Sequence, residues 1–123
     1  MTTHANQNLR TVVAAQDLLI EAQYKAVTLA GTIAASGSRA AGILWAYGKT
    51  GDFVSYVYEG DTKVKVGAAV STLGFPLKIT ASGFLTPAAS GDLHVGRAMS
   101  TAASGDIINA LVDFKTMAPW PGV

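Results

Sequence analysis

At 123 residues and 12.6 kDa the chain has the length of one domain, able to bury roughly two-thirds of its unfolded surface. It contains no Cys, which excludes a disulfide framework and a thiolate metal site. Only 14% of residues are charged, the signs are interspersed and the formal net charge is +1, which excludes an electrostatic footprint for nucleic acid or anionic lipid.

So low a charge content implies one of two surfaces. Either neighbouring subunits cover part of it, or short Ser, Thr and Ala side chains coat a compact domain. No apolar run approaches the ~20 residues of a membrane-spanning helix. Residues 1–10 are polar and lack the apolar centre of a secretory signal, so synthesis in a cytoplasm and a soluble product are expected.

In chain order, residues 1–16 read as a polar, extended N-terminal arm. The Leu18-Leu19-Ile20 triplet fits either a strand or one helical turn, and extended structure is favoured because no i, i+4, i+7 stripe develops. From Gln23 the pattern becomes that of strands. Ser36-Gly37-Ser38 is a turn. Residues 42–47 form a strand, on which Trp45 and Tyr47 share a face and Trp45 suits the core. Residues 52–58 are rich in aromatic and β-branched side chains. Glu59-Gly60-Asp61 has turn chemistry, so residues 52–58 and 62–66 are expected to pair as a hairpin. Further strands follow at residues 77–80, 84–85, 93–99 and 107–114. Pro119 and Pro121 flank Trp120 in a tail over residues 115–123.

The second half resembles itself. Residues 63–72 return as 92–101, and Ala88-Ala89-Ser90-Gly91-Asp92 returns as Ala102-Ala103-Ser104-Gly105-Asp106. Each unit is a strand, a turning Gly and a run of small residues. The expected fold class is therefore all-β: a small single-domain β-barrel or β-tulip-like body over residues 17–114, with the N-terminal arm and a short Pro-rich C-terminal tail.

Nothing in the chain has the pattern of a catalytic site. His4 and His94 are the two histidines, and a metal site needs three or four ligands. His94 lies between Leu93 and Val95 and points to the opposite face, a structural or solvent-facing position. Gly-Asp occurs at 51–52, 60–61, 91–92 and 105–106, where Asp after a turn Gly accepts local backbone hydrogen bonds. Gly48-Lys49-Thr50 matches the end of a phosphate-binding loop, but its first Gly would fall at Ile43. No Ser stands in a Gly-x-Ser-x-Gly elbow. An enzyme is not expected, and neither is a metal or cofactor. Trp120 is either a contact residue or a cap folded over its own barrel end.

The runs Ala41-Gly42-Ile43-Leu44, Gly51-Asp52-Phe53-Val54 and Val66-Gly67-Ala68-Ala69-Val70 resemble the small capsid decoration, or cement, proteins of tailed bacteriophages. Ser82-Gly83-Phe84-Leu85, Val95-Gly96-Arg97-Ala98 and residues 104–112 extend the resemblance, which spans roughly residues 23–114. It implies a compact β body on the outer capsid surface, often as homotrimers, strengthening the shell by bridging major capsid protein subunits. The implied location is the virion, after synthesis in a bacterial host cytoplasm. The implied partners are the major capsid protein and other copies of the chain, with no nucleic acid and no membrane. The long arm and the Pro-Trp-Pro tail depart from the shortest members.

The arm suits a docking strap, since it is rich in hydrogen-bonding side chains and poor in core formers. Its expected contact residues are Thr2, Thr3, His4, Asn6, Gln7, Asn8 and Arg10, joined by Trp120 from the tail. A strap would leave the body's stability nearly unchanged when residues 2–10 are deleted. The alternative function is a carbohydrate- or receptor-binding β module using Phe53, Tyr56 and Tyr58. Strand alternation puts Phe53 on the face opposite the two tyrosines, which argues against one shared groove.

Overall fold

The computed structural model describes residues 7–35, 40–89, 93–114 and 118–119. These are β1 (Gln7–Val13), β2 (Ala26–Val27), β3 (Gly42–Ala46), β4 (Phe53–Lys65), β5 (Pro76–Ile79), β6 (Leu85–Pro87), β7 (Leu93–His94), β8 (Gly96–Ala98), β9 (Ile107–Asp113) and β10 (Ala118–Pro119). Two 3-10 turns, Ile20–Ala22 and Ala81–Gly83, interrupt the strands. The all-β expectation is met. The 18–20 triplet divides between its two readings: Leu18 makes an isolated bridge to Gly48, and Ile20 begins the first 3-10 turn.

One sheet runs β2-β3-β4-β9-β8-β5-β6, with β1 also on β4, and every strand pair in it is antiparallel. The sheet curls until Leu85 of β6 meets Val66, just past the end of β4, in a parallel bridge. This nearly closes a barrel. A short β7–β10 ladder lies outside the main sheet.

The hairpin expected around Glu59-Gly60-Asp61 does not exist. Residues 53–65 are one thirteen-residue strand that runs straight through Gly60. Glu-Gly-Asp suits a turn, but here each half of the strand has its own partners. Val57 pairs with Leu9 of β1 on one side and Ile43 of β3 on the other. From Glu59 onward β9 takes over from β3. A bulge at Tyr58, opposite Asn8 and Leu9, and a φ of 111° at Gly60 absorb the change as a bend.

Through both faces of the strand, β4 serves two apolar clusters. Val54 and Tyr56 pack with Ala14, Leu18, Ala22, Val27 and Leu44. Val57, Val64 and Val66 point into the larger cluster, with Ile43, Leu77, Leu85, Val95, Ala110 and Val112. Val66 and Val95, equivalent in the internal repeat, are both core residues there. Trp45 sits at a bulge in β3 and is half-buried, edge-on to Tyr24 with ring centroids 6.0 Å apart, whereas Tyr47 is exposed.

Residues 7–13, assigned to the arm by sequence, are β1 and pair with β4 from Phe53 to Gly60. Their polar composition hid a strand because β1 is largely solvent-facing, with Val12 as its half-buried apolar contact to the smaller cluster.

Candidate interaction surfaces

Of the contact residues expected from sequence, Thr2, Thr3, His4, Asn6 and Trp120 lie outside the described residues. Gln7, Asn8 and Arg10 fall on β1, and two of these are engaged within the chain. Asn8 Nδ2 donates to Glu59 Oε1 at 2.9 Å, and the Arg10 guanidinium carbon stands 4.9 Å from the centre of the Tyr58 ring. Both contacts follow from the register that sets β1 beside β4.

Two surfaces that the sequence reading missed stand out. On the first, Leu9 and Val13 of β1 share a face with Phe53 of β4, which is 77% exposed. Thr11, Ser55 and Ala46 fill the space between them, so among the described residues these ladder positions carry no charged side chain. On the second, β9 turns Ile107, Asn109 and Leu111 outward. Register places Asp61, Leu111 and Arg97 in one row, Lys63 and Asn109 in the next, and Lys65 beside Ile107. Met99 extends the middle row, its N–H donating to Asn109 O at 3.0 Å. Apolar residues at both inward and outward positions of residues 107–112 were the available signal.

Two concave sites accompany these faces. One, of about 240 Å3, is lined by Arg10, Leu29, Ala41, Tyr56, Tyr58 and Phe114. Phe53 is not among its walls, and Tyr56 is only 4% exposed, so the three aromatics form no common groove. The other, about 170 Å3, lies between His94, Arg97, Leu111 and Asp113. His94 is half-buried there.

Of the four Gly-Asp pairs, two carboxylates accept from their own turns, Asp61 lies inside β4 instead, and Gly91-Asp92 lies outside the described residues. Asp52 Oδ2 accepts the Lys49 N–H and Asp106 Oδ2 accepts the Ala103 N–H, each at 2.9 Å. Asp17 Oδ1 accepts both the N–H and the hydroxyl of Thr50 at 2.9 Å. Those bonds, the backbone one foremost, hold its carboxyl below the ordinary value. Lys65 Nζ donates to Glu21 O at 2.7 Å, and partial burial pushes its ammonium below the usual lysine range. Among the described residues no three His, Asp or Glu side chains gather as a metal site would require, and no helix is long and apolar enough to cross a membrane.

No protein-family model matches the chain, and no curated protein matches it in sequence. A phage protein shares its fold. The N base of head fiber gp8.5 of bacteriophage phi29 superposes with a TM-score of 0.66, over 88% of this chain and 95% of that one. The two are 14% identical, so the likeness concerns backbone architecture and assigns no side chain a role.

Proposed function

We propose that this chain is a structural protein of a bacteriophage virion that binds the outer capsid surface and stabilises the shell by bridging major capsid protein subunits. The observation that carries the reading is the likeness, over nearly the whole of both chains, to the base of a phage head fiber. The run-by-run resemblance to capsid decoration proteins points the same way. A rigid, nearly closed barrel with two outward faces bearing exposed apolar residues suits a protein that touches several neighbours at once. Binding only the assembled shell would stabilise it by mass action.

In this reading Thr2, Thr3, His4, Asn6, Gln7 and Trp120 remain proposed shell contacts, while Asn8 and Arg10 first hold β1 in place. The chain acts without catalysis, metal or cofactor. The test is decoration of undecorated shells of the phage that encodes it. The expected result is saturable, stoichiometric binding and a higher temperature of shell rupture. Absence of binding to intact shells at micromolar protein would overturn the reading.

One observation favours the alternative of glycan binding: the cavity walled by Tyr56, Tyr58 and Phe114 with Arg10 at its side. Saturable binding of a host glycan that Tyr58→Ala abolishes, with no binding to shells, would put that reading first.

A further inference from the structure

The side of β4 that lines the larger apolar cluster at Val57 runs on past the end of that cluster. Register stacks its rows across β1, β4 and β3: Leu9–Val57–Ile43, then Thr11–Ser55–Ala46, then Val13–Phe53. Alternation keeps Val57, Ser55 and Phe53 on one side of the strand. Cover is lost row by row along it. Val57 and Ile43 are fully buried, Ser55 is half-buried beside exposed Ala46, and Phe53 is 77% exposed. The last row has the composition of a core row but faces solvent. Permanent interfaces between subunits have this character, that of a domain core cut in two.

We propose that copies of this chain meet through this face around a rotation axis, the Phe53 ring of one copy packing on the same face of the next. Charge argues that the occupant is another copy and not an unlike protein. At a rotation axis each side chain meets its own copies, so a charge placed there faces its like. The three rows carry no charged side chain among the described residues, which satisfies that condition. Arg10, between Leu9 and Thr11, instead lines the cavity of Tyr56 and Tyr58 on the other side of the strands. The outward face of β9 fails the same condition. Its rows set Lys63, Lys65 and Arg97 among Ile107 and Leu111, so a contact of that face with itself would oppose cation to cation. An unlike partner can supply opposite charges and is steered by them, and the Phe53 face offers it none. The inference concerns self-association and stands apart from shell binding.

The chain has no Cys, so a single introduced one reports which positions meet their own copies. The experiment compares Thr11→Cys, in the middle of the face, with Asn109→Cys on β9, both at exposed positions. Mild oxidation at micromolar protein is expected to join Thr11→Cys chains into covalent dimers and to leave Asn109→Cys chains single. Light scattering supplies a second readout. Thr11→Lys and Thr11→Glu should each scatter as single chains with unchanged melting temperatures. Their equimolar mixture should recover the assembled mass, because unlike charges then meet at the axis, and should lose it again at high salt. A wild-type chain that stays monomeric at high concentration overturns the proposal. So does equal cross-linking at the two positions, or assembly that survives both charged Thr11 variants and is lost in Leu111→Asp.

Discussion

Gly42 shows how closely one residue can be constrained. A Cβ there would collide with the Val57 carbonyl oxygen and lie 2.6 Å from Cδ1 of Tyr56, in the middle of the β3–β4 ladder. Neither backbone nor a buried ring can move aside cheaply. Gly42→Ala is expected to lower unfolding free energy by about 1–3 kcal/mol, read from urea midpoints. Gly51→Ala, where added atoms would meet open space but φ is +91°, separates the two causes by losing only conformational strain. Asp17 gives the residue scale a pH signature. Its folded-state pKa is depressed, so its stabilisation is present above the unfolded value of about 3.9 and is lost as pH falls through the folded one. Asp17→Asn should therefore lower the urea midpoint near neutrality, by a small amount because the group is fully exposed, and flatten the dependence of that midpoint on pH below about pH 4.

At the scale of elements, the finding with most consequence is that β1 belongs to the sheet. Removing residues 2–6, which precede β1, should leave thermal stability nearly unchanged. Removing residues 2–13 should be strongly destabilising, because it bares one side of β4 and the cluster around Val54 and Tyr56. Comparing the two melting temperatures checks this, and equal values would mean that β1 is dispensable. The sequence made the all-β class and the strands at residues 42–46, 53–58, 77–79 and 107–113 legible, because β-branched and aromatic runs bounded by Gly carry a local signal. It misread Gly60, since Glu-Gly-Asp is good turn chemistry in isolation. Only the partners on both flanks keep β4 extended, and those lie far away in sequence. The bulge at Trp45 escaped for the same reason. The interaction faces were half-legible: apolar residues at both parities in β9 are visible, but the exposure of Phe53 depends on what lies beside it.

On the scale of the whole molecule, the low charge content finds a structural counterpart in the two outward faces. Leu9, Val13 and Phe53 on one, and Met99, Ile107 and Leu111 on the other, are each at least 41% exposed. Surfaces of this kind in a small domain commonly mark contact with another protein. A homotrimer is accordingly the proposed state on the shell, and light scattering of the free protein should give about three times the mass of one chain. If it does, Phe53→Asp and Leu111→Asp tell which face is used, because only one should return the protein to monomer while leaving its melting temperature unchanged.

The bent, thirteen-residue β4 has a final consequence for cooperativity. Its Val54 and Tyr56 line one apolar cluster and its Val57 and Val64 line the other, while Tyr58 at the bulge packs against both. Neither cluster can come apart without releasing a piece of the backbone that also walls the other. The chain should therefore unfold as a single thermodynamic unit, with calorimetric and van't Hoff enthalpies equal in a heating scan. A strand broken into the hairpin that its residues suggest would have allowed two separately melting halves.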